Sequence, residues 1–182
     1  MMHVQDVAYE LFAERDPDDV TVEEIAKAAG VGPATVYRQF GSKDRIVSWN
    51  ENDEQIAAAV VRRVGELPAF DALRTAFAVD IAPLIDNERQ RKQFRLIFGK
   101  PGLAGSIAAF DEAAVSTVSK TLLEAGGAAS PLIAEVQARS ALGALDAAFD
   151  AWQQATDATP LSAFIDRAFD ALAGFGATEA AP

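Results

Sequence analysis

The chain has 182 residues, half of them hydrophobic, with a formal net charge of -11, one histidine and no cysteine. This supplies enough apolar material for a sizeable core in one large domain or two smaller ones, while the missing cysteines exclude disulfides, thiolate metal sites and a cysteine nucleophile. A lone His3 near the N-terminus argues against a Ser-His-Asp triad and a histidine-rich metal site, and the acidic total argues against indiscriminate nucleic-acid binding by the whole molecule.

Val4, Val7, Ala8, Leu11 and Phe12 recur at helical spacing, which predicts an amphipathic helix from about His3 to Glu14. Arg15-Asp-Pro-Asp-Asp19 is a turn-rich break. Thr21 then stands three residues before Glu24, the spacing of a capping box, and opens a helix to about Ala29. Gly30 falls where that helix stops, and Pro33 suits the first turn of the next, where its missing N–H is no loss. Two short helices joined by a tight turn form a helix-turn-helix, whose second helix can enter the major groove of DNA. Gly41-Ser42 ends this second helix, and Ser42 is positioned to cap a long fourth helix reaching about Gly65. Residues 1–50 carry five basic and nine acidic side chains, yet residues 30–50 hold Arg38, Lys43 and Arg45 against Asp44 alone. An acidic body with one small basic face suits docking at a single surface.

The rest of the chain is helical wherever it is periodic. Leu67-Pro68 is a break, Phe70, Leu73, Phe77 and Ile81 form a stripe, and Pro83 kinks or ends that helix. Asn87 to Phe98 is a basic amphipathic segment, and Gly99-Lys-Pro-Gly102 a breaker. Leu103 to Ala125, Ser130 to about Gln154 and Pro160 to about Phe175 follow as three further helices. No alternating β pattern and no internal repeat is present, so the predicted class is all-α. No apolar run approaches a membrane span and no basic-then-apolar leader opens the chain, which gives the expectation of a soluble cytoplasmic protein with no membrane partner.

Residues 4–50 resemble the DNA-binding domain of the TetR (tetracycline-repressor) family of transcriptional regulators. The matching residues are Ala8, Leu11-Phe12, Thr21-Val22, Ile25-Ala26, Ala29-Gly30-Val31, Thr35-Val36-Tyr37, Phe40 and Gly41-Ser42-Lys43. The resemblance implies about nine helices, divided into a helix-turn-helix domain at 1–48, an effector-binding and dimerisation domain at 49–176 and a tail at 177–182. It implies that Thr21, Thr35, Tyr37 and Lys43 contact phosphate while Pro33, Ala34, Arg38 and Gln39 face the groove. The chemistry agrees, since phenol and ammonium are good phosphate donors, and Arg38 can fork onto guanine and Gln39 onto adenine. The plainer alternatives are packing for Tyr37, core for Phe40 and solvated charge for Lys43 and Arg45. Two departures stand out. Only Met1-Met2-His3 precede the first helix, where the family often carries a basic arm, and Gly32 occupies the usual serine cap of the recognition helix.

In the larger part, Trp49, Phe70, Phe77, Ile81, Phe94, Phe98, Leu103, Ile107 and Phe110 are core or line an effector cavity. The seven expected to touch a largely apolar effector are Trp49, Phe77, Ile81, Phe94, Phe98, Phe110 and Thr117, with Asp80, Gln93 and Thr117 as polar candidates. Arg89, Arg91, Lys92 and Arg95 are read as a solvated face, the alternative being an anionic effector or a contact near DNA. The last two helices are apolar on more than one side, and Leu145, Phe149, Trp152, Phe164, Ala168, Phe169 and Leu172 are assigned to a homodimer bundle, the alternative being an intramolecular one. The expected function is a ligand-responsive regulator, a homodimeric repressor of a palindromic double-stranded operator released by a small-molecule effector. It uses no cofactor or metal and catalyses no reaction. The rival reading is a helical small-molecule binding protein whose DNA head is vestigial.

Overall fold

The computed structural model describes residues 1–49, 53–99 and 103–174, and within these the side chains of residues 53, 54, 56, 57, 97–99 and 104–111 lie outside the description. Among the described residues every regular element is helical. Two compact units are formed, one from Met1–Asp53 with Arg89–Glu112, the other from Glu54–Glu88 with Ala113–Pro182.

The first unit begins with α1 (Met2–Glu14), which buries Val4, Ala8, Tyr9 and Phe12. A single 3-10 turn at Pro17–Asp19 leads into α2 (Val22–Ala28). Thr21 and Glu24 form the complete capping box, with the Thr21 hydroxyl accepting from the Glu24 amide and Glu24 accepting from the Thr21 amide. Gly30, at φ +68°, makes the turn that only glycine adopts cheaply. α3 (Pro33–Phe40) follows Gly32, which caps it without a side-chain bond. Ser42 caps α4 (Lys43–Ser48), accepting from the Arg45 amide. Phe12, Ile25, Ile46 and Val36 fill the core, and Leu103 from the later chain packs into it.

The long fourth helix expected from Ser42 to Gly65 is instead two helices. α4 stops at Ser48, Trp49 is extended at φ -65° and ψ 130°, and α5 spans Asp53–Glu66. One cause is visible. Gln5 of α1 takes the carbonyls at the end of α4, donating to Ile46 O at 2.9 Å and Trp49 O at 2.6 Å.

In the second unit, α6 (Ala69–Thr75), a π-helical stretch (Ala76–Ile81) and α7 (Ala82–Ile85) run on without a break in helicity. Pro83 therefore neither ends nor simply kinks the helix. It has no N–H to offer Val79 O, and its ring would strike that carbonyl in a regular α-helix. The wider turn removes the conflict, with the Ala82 amide bonding to Phe77 O, five residues back. Beyond it, Asp86 accepts the Leu161 amide at 2.8 Å, capping α11 (Leu161–Gly174) from a distance of 75 residues in sequence. α8 (Glu88–Gly99) and α9 (Ala104–Glu124) intervene before α10 (Pro131–Gln154). α10 packs along α11, and Ala134, Ala138, Ala141, Ala148 and Trp152 of α10 and Ile165 and Phe169 of α11 are all buried.

Candidate nucleic-acid interface

α3 divides cleanly by chemistry. Val36 and Phe40 are buried in the core of the first unit, while Pro33, Ala34, Tyr37, Arg38 and Gln39 are exposed and Thr35 is half-buried. The outward set is the one expected to meet DNA, so the helix presents it together on one solvent-facing side. Tyr37 is 45% exposed. Its hydroxyl donates to Glu23 in the first turn of α2 at 3.1 Å, and this bond raises the phenol's pKa. Lys43 is half-buried, with Nζ donating to the Pro17 carbonyl. Thr21 is exposed, its hydroxyl engaged in the capping box. Beside it, Arg15 pairs with Glu24 at 2.8 Å. That guanidinium, followed by the Thr21 bonds, holds the Glu24 carboxyl at about 2. A depressed carboxylate stabilises only while ionised, so this share is present above the ordinary value and is lost as the pH falls toward 2.

Sequence reasoning missed the residues that hold this surface in place. Gln5 is 2% exposed. Besides bonding the two α4 carbonyls, it accepts from Arg89 at 3.3 Å. Arg89 also forks onto Asp6, at 3.0 and 2.8 Å. The basic run read as a solvated face thus has its first member spent on α1. Tyr9, buried, donates to Val47 O at 2.8 Å, and burial pushes its phenol pKa up. A glutamine and a tyrosine on the apolar side of α1 are the sequence signal of these ties, because buried polar groups need partners.

Two family models match the chain. One describes bacterial regulatory proteins of the tetR family and covers residues 5–48. The other describes the MftR C-terminal domain and covers residues 67–175, more than half of the length. The chain belongs to the TetR family. A Mycobacterium tuberculosis protein described as a mycofactocin biosynthesis transcriptional regulator, MftR, is 28% identical over 178 residues, covering 93% of this chain and 87% of its own. The regulator TcmR of Streptomyces glaucescens is 34% identical over 106 residues, 53% of this chain and 46% of its own. Among solved structures, Thermus thermophilus FadR, a TetR family repressor in complex with lauroyl-CoA, aligns with a TM-score of 0.55 at 20% identity, covering 100% of this chain and 97% of its own. NalD of Pseudomonas aeruginosa, a repressor of a multidrug efflux pump, aligns at 0.58 and 16% identity, covering 94% and 93%. These likenesses show the TetR fold, and the matched models and relatives make this a transcriptional regulator rather than an enzyme.

In this TetR regulator the residues expected to touch an effector divide between the two units. Trp49, half-buried, meets Phe40 edge-on at 6.2 Å in the first unit, where Phe94 is also half-buried. Phe77 and Ile81 are buried in the second unit, Phe77 against Phe169 at 6.1 Å. Thr117 is exposed and donates to Ala113 O, while the side chains of Phe98 and Phe110 lie outside the described residues. Asp80 accepts a forked bond from Arg63 at 2.7 and 3.0 Å and pairs with Arg62 at 2.9 Å, and these guanidinium groups, Arg63 first, lower its pKa. Gln93 is buried with its Nε2 meeting no acceptor among the described residues. A groove of about 300 Å³ lies among α6, α10 and α11, lined by Phe70, Leu73, Val136, Gln137, Ser140 and Leu172 among others. Of the residues read as core or effector lining, Phe70 lines this groove, and none of the seven expected to touch the effector is among its described lining.

The residues assigned to the dimer separate by burial. Leu145, Phe149, Trp152 and Phe169 are buried within their own chain, Trp152 and Phe169 with 0% exposure. Phe164, Ala168 and Leu172 remain half-buried on α11. α10 also leaves Leu132 at 74% exposure and Val136 at 56%.

Proposed function

We propose that this TetR regulator is a cytoplasmic homodimeric repressor that binds a palindromic double-stranded operator and is released by a small, largely apolar effector. The observation that carries the reading is the two-sided α3, with Val36 and Phe40 anchoring it and Tyr37, Arg38 and Gln39 left uncovered. A helix secured on one side and polar on the other is what major-groove readout requires. Tyr37, Lys43, Thr35 and Thr21 serve as phosphate contacts, and Pro33, Ala34, Arg38 and Gln39 face bases. The likeness to MftR along most of its length favours control of mycofactocin biosynthesis genes as the first target to test.

Arg38→Ala removes the one group on α3 able to fork onto guanine. It is expected to weaken operator binding by about tenfold or more per head, from roughly 1–3 kcal/mol of lost discrimination, and to leave binding to unrelated duplex nearly unchanged. Mobility-shift titration on upstream DNA with a scrambled control checks this. Equal losses on both duplexes would move Arg38 to the phosphate contacts, and no binding by the wild type would sink the repressor reading.

The dimer is proposed to form through the open faces of α10 and α11, namely Leu132, Ile133 and Val136 with Phe164, Ala168 and Leu172. The apolar groove beside Val136 and Leu172 gives a second copy something to fill. Val136→Glu places a charge on this exposed face without touching the core, and should yield monomers by sedimentation together with a loss of operator affinity of about tenfold or more. A Val136→Glu protein that stays dimeric would place the interface elsewhere. The effector is read as largely apolar with one hydrogen-bond acceptor, because Gln93 has a buried donor to offer and Asp80 is already held by two arginines.

A further inference from the structure

A phenol carries one proton to donate. In this chain the proton of Tyr37 is committed, since the hydroxyl donates to Glu23 Oε1 at 3.1 Å. Both side chains are exposed and both belong to the helix-turn-helix, Glu23 in the first turn of α2 and Tyr37 in the second half of α3. For Tyr37 to donate to a phosphate oxygen, the bond to Glu23 must open. When it opens, a carboxylate is left within a few ångströms of the phosphate that replaced it.

The neighbouring acid behaves differently. Glu24 is held by Arg15 at 2.8 Å and by Thr21, so its charge is matched locally. Among the described residues no guanidinium or ammonium pairs with Glu23, and its one polar partner is the Tyr37 hydroxyl. Its negative charge therefore faces approaching DNA uncompensated, and at short range salt reduces the repulsion without abolishing it. The cations on the same surface are few, and Lys43 is itself bonded to the Pro17 carbonyl.

We propose that Glu23 is a phosphate competitor built into the reading head, which occupies Tyr37 in the free protein and holds down the sequence-independent part of DNA affinity. This rests on the reading of Tyr37 as a phosphate contact. The charge-driven share of binding is what all duplexes have in common, whereas base contacts distinguish them. A head with a built-in competitor depends on Arg38 and Gln39 to stay bound, and it leaves non-operator DNA readily.

The test uses the full chain and fluorescence anisotropy with two 30-base-pair duplexes, one selected by the wild-type protein from a random pool, the other scrambled to the same composition. Glu23→Gln is expected to tighten binding to both by about 3- to 10-fold per head, and so by the square of that factor for a dimer. The plot of log affinity against log salt should steepen by about 0.9 per head, as if one more phosphate were neutralised. In a Tyr37→Phe background the gain from Glu23→Gln should shrink, because the hydrogen bond being competed for is gone, and Glu23→Ala should reproduce the effect. Unchanged or weaker binding by Glu23→Gln to both duplexes, with an unchanged melting temperature, overturns the proposal. Weaker binding to the selected duplex alone also overturns it, by making Glu23 a base reader. If the wild type selects no duplex at all, the DNA-binding reading fails and the competitor with it, an outcome distinct from the other two.

Discussion

Replacing Trp152 with alanine is expected to lower the stability of the second unit by about 3–5 kcal/mol, the largest single effect on the fold. Trp152 has 0% exposure and sits on the face of α10 that also buries Leu145, Ala148 and Phe149. Phe169 of α11, likewise fully buried, meets Phe70 at 5.4 Å and Phe77 at 6.1 Å in the same unit. Removing an indole from such a site forfeits its transfer energy and leaves a cavity that helices already fixed by Asp86 and Arg74 cannot close. Urea denaturation at fixed protein concentration reads the loss, and sedimentation in parallel should show little change in self-association. A variant that dissociates yet keeps its unfolding midpoint would return Trp152 to the partner surface.

The second large effect is expected at Gln5. Gln5→Leu leaves Ile46 O and Trp49 O without their donor and deprives Arg89 of one acceptor. Each buried carbonyl so orphaned costs about 1–3 kcal/mol, so the first unit should lose about 2–4 kcal/mol, allowing for partial access of water at Trp49. Gln5→Glu is the informative companion. It keeps an acceptor for Arg89 but has no N–H, and it should lose as much as leucine does. Full stability in Gln5→Glu would show that the α4 carbonyls need no cap. Because α4 begins at Lys43, close after α3, the same variants should also loosen Lys43 and lower DNA affinity.

The parts of this protein that were legible in sequence are those whose causes are local. Thr21 and Glu24 are three residues apart, Gly30 and Gly41 each sit at the end of one helix, and Pro33 acts on its own turn, so α1 to α3 could be placed from spacing alone. The break between α4 and α5 has a remote cause, a glutamine 41 and 44 residues away, which no periodicity in that stretch reveals. The role of Arg89 was hidden for the same reason, since Asp6 lies 83 residues off. For α10 and α11 the difficulty was different. A helix that is apolar on two sides shows by its period which residues share a face, but not which face its own chain covers. Trp152 and Phe169 went inward, and Leu132 and Val136 were left open. The position of α3 was legible in sequence, while the hold of Glu23 on Tyr37 was not, because it joins two helices through a single exposed bond.

The π-helical stretch at Ala76–Ile81 bears on how this chain can change over time. Each residue in an α-helix turns the chain by about 100°, and a π turn accommodates one residue more than its α counterpart. The stretch therefore works as a phase setting, in which residue number between Thr75 and Asp86 fixes where the Asp86 carboxylate points. Only in the present phase does it meet the Leu161 amide. Substitutions at the buried Ala76, Phe77 and Ile81 are constrained by size, and a single-codon insertion or deletion would in addition uncouple Asp86 from α11 while leaving every side chain chemically intact. In this segment the count of residues is inherited information, as much as their identity.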